Sequence, residues 1–329
     1  MSDLISHDAL ERNPLVTGWD NAWRATRLEL ADGRILKDTP DALSAAAPQF
    51  GPAAVAALHA FHTRQFRLST RTDPLPCGVR TLVMGILNTT PDSFSDGGRW
   101  SDTDRAVEHG LTLAEQGAHL LDVGGESTRP GADPVPADEE RRRTVPVIAA
   151  LAIRCDLPIS IDTTKADVAA AALDAGACMV NDVSALRDPA MAPLIAHTGA
   201  ALCLMHMQGE PRTMQKNPVY ADVVREVADF LRRAMARAAD AGIGLEQLVV
   251  DPGIGFGKNL AHNTELIRRL PVLASLGRPI LMGCSRKSLI QRALGLPLAR
   301  RLHPTQALNV LSIVGRASII RVHDVGEAV

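Results

Sequence analysis

The 329-residue sequence has little aromatic content. One tyrosine, three tryptophans and six phenylalanines make up 3% of it, so its interior must be built from Ala, Val, Leu and Ile. With 46% hydrophobic and 22% charged residues it can still bury a large core, and aliphatic filling is usual for a parallel barrel. It also lacks an excess of one charge. A formal net charge of −2 gives no electrostatic footing for nucleic acid or an anionic membrane, both of which draw on clustered Lys and Arg. Any anionic ligand must be held locally. The cysteines Cys77, Cys155, Cys178, Cys203 and Cys284 are scattered, with no CxxC pair and no His at zinc-finger spacing. That is the pattern of reduced, mostly buried thiols in a cytoplasmic protein. No apolar run approaches 18 residues, and the opening MSDLISHDALERNP has no basic stretch ahead of an apolar one, so neither a membrane span nor a secretion signal is expected. HExxH, paired His ligands and Cys clusters are missing as well, which argues against a catalytic zinc.

What is present is a repeat. From about residue 81, short apolar or β-branched runs alternate with Ala-rich segments of helical period. The runs predict strands at Thr81–Leu87, His119–Val123, Pro158–Ile161, Cys178–Val180, Ala201–Met205, Gln247–Val250, Pro279–Met282 and Ser318–Arg321. Helices are expected over Asp102–Gln116, Asp138–Arg154, Lys165–Ala175 and Val219–Ala241. The runs do not alternate in polarity, so they suit strands covered on both faces. Eight such units predict an α/β fold, a (β/α)8 TIM barrel, over residues 81–329. Polar residues follow nearly every strand: Asn88, GGESTRPG, Asp162, Asn181 with Asp182, His206, Asp251, SRKS, and His323 with Asp324. In a barrel these share one rim, whereas a doubly wound sheet would gather them at one switch point.

Residues 1–80 read as an N-terminal extension. RLELADGRILK predicts a hairpin turning at Asp32 and Gly33, a helix follows near Ala53–Phe66, and TRTDPLPCG reads as a Pro-containing linker. At the other end, VGEAV gives a truncated eighth helix of barely one turn, and the N-terminal helix is expected to cover what it leaves open.

Two groups on the rim carry chemistry. Asp162 and Asp251 with Asn181 suit a heterocycle with a donor-rich edge, such as an amino-pyrimidinone, although a single Asp ahead of a helix caps it about as often. Lys287, Arg129, Arg321 and His323 bring cationic groups that suit a phosphate or diphosphate. DPGIGFGKN (251–259) fits neither common nucleotide fingerprint, and its glycines read as tight backbone near a ligand. Mg²⁺ held by one oxygen ligand plus substrate phosphates is compatible with Asn88. His206 is open between a role at the rim and simple packing.

MGILNTTPDSFSDGG, LDVGGESTRPGA, ISIDTTK, VNDVSAL, CLMHMQGEPRTMQ, LVVDPGIGFGKN, GCSRKS and IIRVHDV run in one order over about residues 81–326. Together they resemble the dihydropteroate synthases, pterin-binding TIM-barrel enzymes that join a dihydropterin diphosphate to para-aminobenzoate. The resemblance implies that Asp162, Asn181, Asp251 and Lys287 hold the pterin in a slot shaped by Met205, Phe256 and Gly283. It implies that Asn88, Arg129, Arg321 and His323 hold the diphosphate, Asn88 through Mg²⁺. Thr128, Pro130, Phe256 and Ser288 would face para-aminobenzoate, with Phe94 on a first loop, TTPDSFSDGG, closing over it. Arg129, Asp162, Lys287, Arg321 and His323 form the implied catalytic group, and a homodimer built on late helices is implied as well. The sequence departs from the family in its N-terminal segment, in RLHPTQALN, which lacks the usual small-residue pattern, and in its short closing helix. The competing readings are a methyltetrahydrofolate-corrinoid methyltransferase, against which GGESTRPG and SRKS argue, and a catalytically silent pterin-binding paralogue.

Overall fold

The computed structural model describes residues 13–89, 102–127, 132–210 and 212–329, and these form two compact units. One comprises residues 13–64 together with Pro271–Gly277. In it β1 (Leu15–Trp19), β2 (Ala25–Glu29) and β3 (Ile35–Lys37) form an antiparallel meander. The expected hairpin is its second half, turning at Asp32 and a left-handed Gly33. Helices α1 (Pro40–Ala46) and α2 (Pro52–His62) follow, each with proline in its first turn, where the missing N–H costs nothing. Leu15, Leu28, Leu43, Leu58 and Phe61 are buried here. Ser275 Oγ accepts from Val16 N at 3.0 Å, and a Cβ on Gly277 would meet that of Ala60 in α2 at 3.1 Å.

The second unit is the barrel. It opens with a short antiparallel hairpin of β4 (Phe66–Leu68), which begins where the expected helix ends, and β5 (Leu75–Cys77), inside the stretch TRTDPLPCG expected to be a linker. The physical reason is burial. Leu68, Leu75 and Cys77 join one apolar cluster with the first inward residues of the barrel strands, among them Leu82, Leu120, Met179, Ala201, Val249 and Ile319, so the hairpin seals the N-terminal end of the barrel.

The strands are β6 (Leu82–Asn88), β7 (Leu120–Gly124), β8 (Ile159–Asp162), β9 (Met179–Asp182), β10 (Ala201–Met205), β11 (Leu248–Asp251), β12 (Leu281–Met282) and β13 (Ile319–Val322). They pair in parallel in the order β11-β10-β9-β8-β7-β6-β13-β12. A bridge between Val250 and Ile280, with Val250 N donating to Pro279 O at 3.0 Å, joins the two ends. This is a TIM barrel, as the sequence predicts. Helices α3 (Asp102–Glu115), α4 (Ala137–Arg154), α5 (Ala166–Asp174), α6 (Met191–Thr198), α7 (Val223–Asp240), α8 (Leu260–Arg268), α9 (Ser288–Leu294), α10 (Leu302–Val314) and α11 (Val325–Ala328) alternate with them. Within this unit β6 is covered by α11 and α3: a Cβ on Gly85 would touch Val325 and Leu113 at 3.2 Å, and Val329 lies against Gly117. Among the described residues no helix is long and apolar enough to cross a membrane.

Because strand side chains alternate between faces, each inward residue of the sealed end starts a two-residue series climbing to the open mouth. The series are Leu82–Met84–Ile86–Asn88, Leu120–Asp122–Gly124, Ser160–Asp162, Met179–Asn181, Ala201–Cys203–Met205, Val249–Asp251, Leu281–Gly283 and Ile319–Arg321–His323. The intervening residues, such as Gly85, face the helices.

Candidate active site

The mouth collects the upper members of those series. Asp162, Asn181 and Asp251 are strand residues rather than the first residues beyond a strand, so the hydrogen-bonded ladder positions them, with Asn88, Gly124, Asp162 and Asn181 consecutive partners in one row. Helix capping does not claim the two aspartates. The residue ahead of α5 is Lys165, and α8 is capped by Asn259, whose Oδ1 accepts from His262 N. Asp182, of opposite parity, is the one given to backbone: its carboxylate takes the N–H groups of Ser184 and Leu186 and the Ser184 hydroxyl.

At the centre lies Asp122, a residue the sequence reading passed over. It is fully buried, and its Oδ2 accepts from Arg321 Nε at 2.5 Å and from Asn181 Nδ2 at 3.0 Å. Arg321 Nη2 donates to Asp162 Oδ2 at 2.8 Å. Arg321, implied to serve the diphosphate, therefore also ties together the acceptors of the other half-site. Since the Asn181 amide nitrogen is engaged by Asp122, its oxygen is the end presented to a ligand. Asn181 Oδ1, Asp162 Oδ1 and Asp122 Oδ1 are buried without a hydrogen-bond partner. Buried acceptors in that condition are costly unless a ligand supplies donors.

Burial, opposed by Arg321 and reinforced by Asp122 and Glu140, pushes the Asp162 carboxyl up to about 7. Burial also raises Asp251, against Lys287 and a 2.6 Å hydrogen bond from Gly253 N. Conversely, burial works against the charge on Arg321, but Asp122 and Asp162 outweigh it and hold the guanidinium above its usual range. Burial pushes Lys287 down to about 8, against Asp251. Lys287 Nζ donates to Ile254 O and lies 4.5 Å from the Phe256 ring centroid, while a Cβ on Gly283 would come within 3.8 Å of it. Phe256 packs against Val183, Met205, Met207 and Met214. Met205, Phe256, Gly283 and Lys287 thus frame one slot above Asp251.

The loop bearing Phe256 is held by an interior lysine. Lys258 is fully buried, its Nζ 2.8 Å from His206 Nδ1 and donating to the carbonyls of Phe256 at 2.9 Å, Gly253 at 3.0 Å and His206 at 3.3 Å. Burial drives the Lys258 pKa well below its ordinary value, and burial with the Lys258 charge pushes His206 down to about 2. His206, 5% exposed and edge-on to Phe230 at 4.8 Å, is a packing and tethering residue. The two loops approach so closely that Gly253, at φ +68°, has no room for a side chain: a Cβ there would lie 1.9 Å from His206 O.

On the opposite side, Asn88 stands half-buried at the end of β6, its Oδ1 3.8 Å from where a Gly124 Cβ would be, as is Asp162 Oδ2. His323 is fixed by Ser285, whose Oγ accepts from His323 N at 3.1 Å and lies 2.9 Å from Nδ1. Ser288, first residue of α9, is exposed. Beside Asp162 opens a cavity of about 410 Å³, lined also by Glu126, Thr163, Lys165, Ser184 and Arg187. In its wall Lys165 bridges Glu126 and the buried Glu140. Phe94, Thr128, Arg129 and Pro130, and with them the expected lid TTPDSFSDGG beyond its first residue Thr89, lie outside the described residues. Among the described residues no group of three or more His, Cys, Asp or Glu side chains could hold a metal. The five cysteines are free, four of them buried.

Comparison with known proteins places this geometry. The sequence profile of the family described as "Pterin binding enzyme" matches residues 84–323. The dihydropteroate synthase of Escherichia coli K12 is 47% identical over 247 residues, 75% of this chain and 88% of that one. Among solved structures, the Xanthomonas albilineans dihydropteroate synthase with 4-aminobenzoic acid superposes with a TM-score of 0.75 at 45% identity, covering 81% of this chain and 94% of that one. The same enzyme in complex with 7,8-dihydropteroate gives 0.70 at 45% identity, covering 76% and 90%.

Proposed function

Because the chain belongs to the pterin-binding enzyme family, we propose that it is a transferase of folate biosynthesis, joining 6-hydroxymethyl-7,8-dihydropterin diphosphate to para-aminobenzoate with release of diphosphate. The observation that carries this reading is the acceptor-lined slot. Asp162 Oδ1 and Asn181 Oδ1 are buried and unpaired, and the amino-pyrimidinone edge of a pterin supplies the N–H donors they need. Asp251 adds acceptor capacity, while Phe256 and Met205 close on the flat faces of the ring.

In the reaction the bond between the pterin methylene carbon and the diphosphate oxygen breaks, the arylamine nitrogen bonds to that carbon, and the nitrogen loses a proton. No side-chain nucleophile is required. Arg321 and His323 act on the departing diphosphate with charge and donors, and Asp162 offsets positive charge that develops on the pterin. Arg321 touches Asp162 directly, so both ends of the breaking bond share one preorganised ion pair. Arg129 joins the diphosphate group, and Thr128, Pro130, Phe256, Ser288 and Phe94 receive para-aminobenzoate. Asn88 fits a hard divalent ion held mainly by substrate phosphates, because it is one neutral oxygen donor at the mouth and no side-chain cage is needed. Mg²⁺ bound there would neutralise phosphate charge.

The active form is a cytoplasmic homodimer. Val310, Leu311, Ile313 and Val314 of α10, with Leu294 and Leu298 before it, are 41–58% exposed, an apolar patch suited to a second copy. The deciding experiment mixes the protein with dihydropterin diphosphate, para-aminobenzoate and Mg²⁺ and follows dihydropteroate and diphosphate together. Pterin binding without product would mean a silent paralogue, and methyl transfer from methyltetrahydrofolate would mean the corrinoid alternative.

A further inference from the structure

His323 and Asp324 are joined to the loop after β12 by two consecutive rungs. Ser285 bonds His323 through both backbone and ring, and Arg286 bonds Asp324 through Nε at 2.9 Å and through Nη2. Arg286 adopts this position at a left-handed φ of +56°, held by Thr305 Oγ1, which accepts its N–H at 3.1 Å, and by Arg301, which donates to its carbonyl at 2.9 Å. The loop is therefore fixed from α10 before any ligand arrives, and Ser285 is 5% exposed.

We propose that Ser285 is a positioning residue that holds His323 in the tautomer carrying its proton on Nε2. The Ser285 oxygen already accepts the His323 backbone N–H, and its own proton needs an acceptor, which Nδ1 supplies at 2.9 Å. A proton on Nδ1 would occupy the oxygen's second lone pair and deprive the hydroxyl proton of this acceptor. With Nδ1 engaged as acceptor, Nε2 on the far side of the ring is a donor in the neutral imidazole. On the proposed function, that donor serves the diphosphate. The opposite tautomer would present a lone pair to an anion.

The experiment reads the tautomer and the kinetics separately. In ¹⁵N-histidine-labelled, substrate-free protein, His323 should show a bare Nδ1 and a protonated Nε2 at neutral pH, and Ser285→Ala should convert this to a mixture. Ser285→Ala should raise KM for the dihydropterin diphosphate by about two- to fivefold, the inverse of the fraction of His323 left in the donating tautomer, and leave KM for para-aminobenzoate unchanged, with Ser285→Thr restoring the wild-type values. A proton on Nδ1 in the wild type, an unchanged tautomer in Ser285→Ala, or a shifted tautomer with unchanged KM would each overturn the proposal. Because the spectrum is taken without substrate, it stands even if the wild type makes no dihydropteroate, an outcome that would count against the function instead. Should Ser285→Ala misfold, Ser285→Cys, which keeps the volume and weakens the donor, gives the same readings.

Discussion

Replacing Lys258 with Met keeps the length of the side chain and removes its nitrogen, which isolates what that nitrogen does. Four partners stand within 2.8–3.3 Å of Nζ: His206 Nδ1 and the carbonyls of Phe256, Gly253 and His206. A hydrogen bond contributes about 1 kcal/mol net, and a buried carbonyl left without a donor costs roughly 1–3 kcal/mol. Against this stands the desolvation that drives the Lys258 pKa far down, which the substitution relieves. The balance is a loss of about 3 kcal/mol, read from urea unfolding as a lower midpoint at unchanged slope. Because Gly253 and Phe256 hang from the same nitrogen, affinity for a pterin should fall as well, by roughly tenfold, while the far side of the mouth at His323 is untouched. Stability within about 0.5 kcal/mol of wild type, the range of an ordinary surface substitution, together with unaltered pterin affinity, would refute the tether.

Other consequences follow from the same geometry. Asp122→Asn removes a charge that repels Asp162 and one anchor of Arg321, so the Asp162 midpoint, followed by ¹³C-carboxyl NMR, should drop below about 7 and kcat/KM should fall about ten- to a hundredfold. Asp162 is raised in the folded state from an ordinary 3.8, so its ionisation costs stability as pH rises toward and through about 7. Asp162→Asn should therefore gain stability relative to wild type as pH rises from 3.8 to about 7 and hold that gain above it, and parallel denaturation curves over that range would contradict the assignment. Gly253→Ala, with its Cβ 1.9 Å from His206 O, should unfold several degrees earlier in calorimetry, a drop of ~2–4 kcal/mol. Paired Val310→Asp and Val314→Asp changes should convert the proposed dimer to monomers in sedimentation velocity.

Much of this was legible because alternation in a strand is a strict rule. Asn88, Asp162, Asn181, Met205, Asp251, Gly283, Arg321 and His323 all sit at even steps above the sealed end of the barrel, and most of them stand in the sequence as a polar or small residue at the end of an apolar run. The same counting finds Asp122, two residues after Leu120, but inside HLLDVG a carboxylate is flanked by apolar residues on both sides and nothing local marks it as an ion with a partner. Lys258 and His206 are 52 residues apart, and no local pattern announces their contact. The strand β5 reads as part of a linker because three residues are too short to show alternation and two prolines flank and enter it. Its strand character comes from burial beneath the barrel, a tertiary cause. Ser285 and Arg286 were seen as part of SRKS, but their rungs to His323 and Asp324 depend on which loops become neighbours when the sheet closes.

The row Asn88, Gly124, Asp162, Asn181 has one further implication. Its members are neighbours across hydrogen-bonded parallel strands, which lie about 4.8 Å apart, so the distance from the oxygen donor at one end to the amide at the other is set by the backbone ladder and not by any loop. A ruler of this kind cannot be lengthened by point substitution. Discrimination of the ring should therefore stay constant while surface loops drift, and variants that tell one arylamine from another should arise in the connecting segments, leaving the two halves of one pocket free to change at different rates.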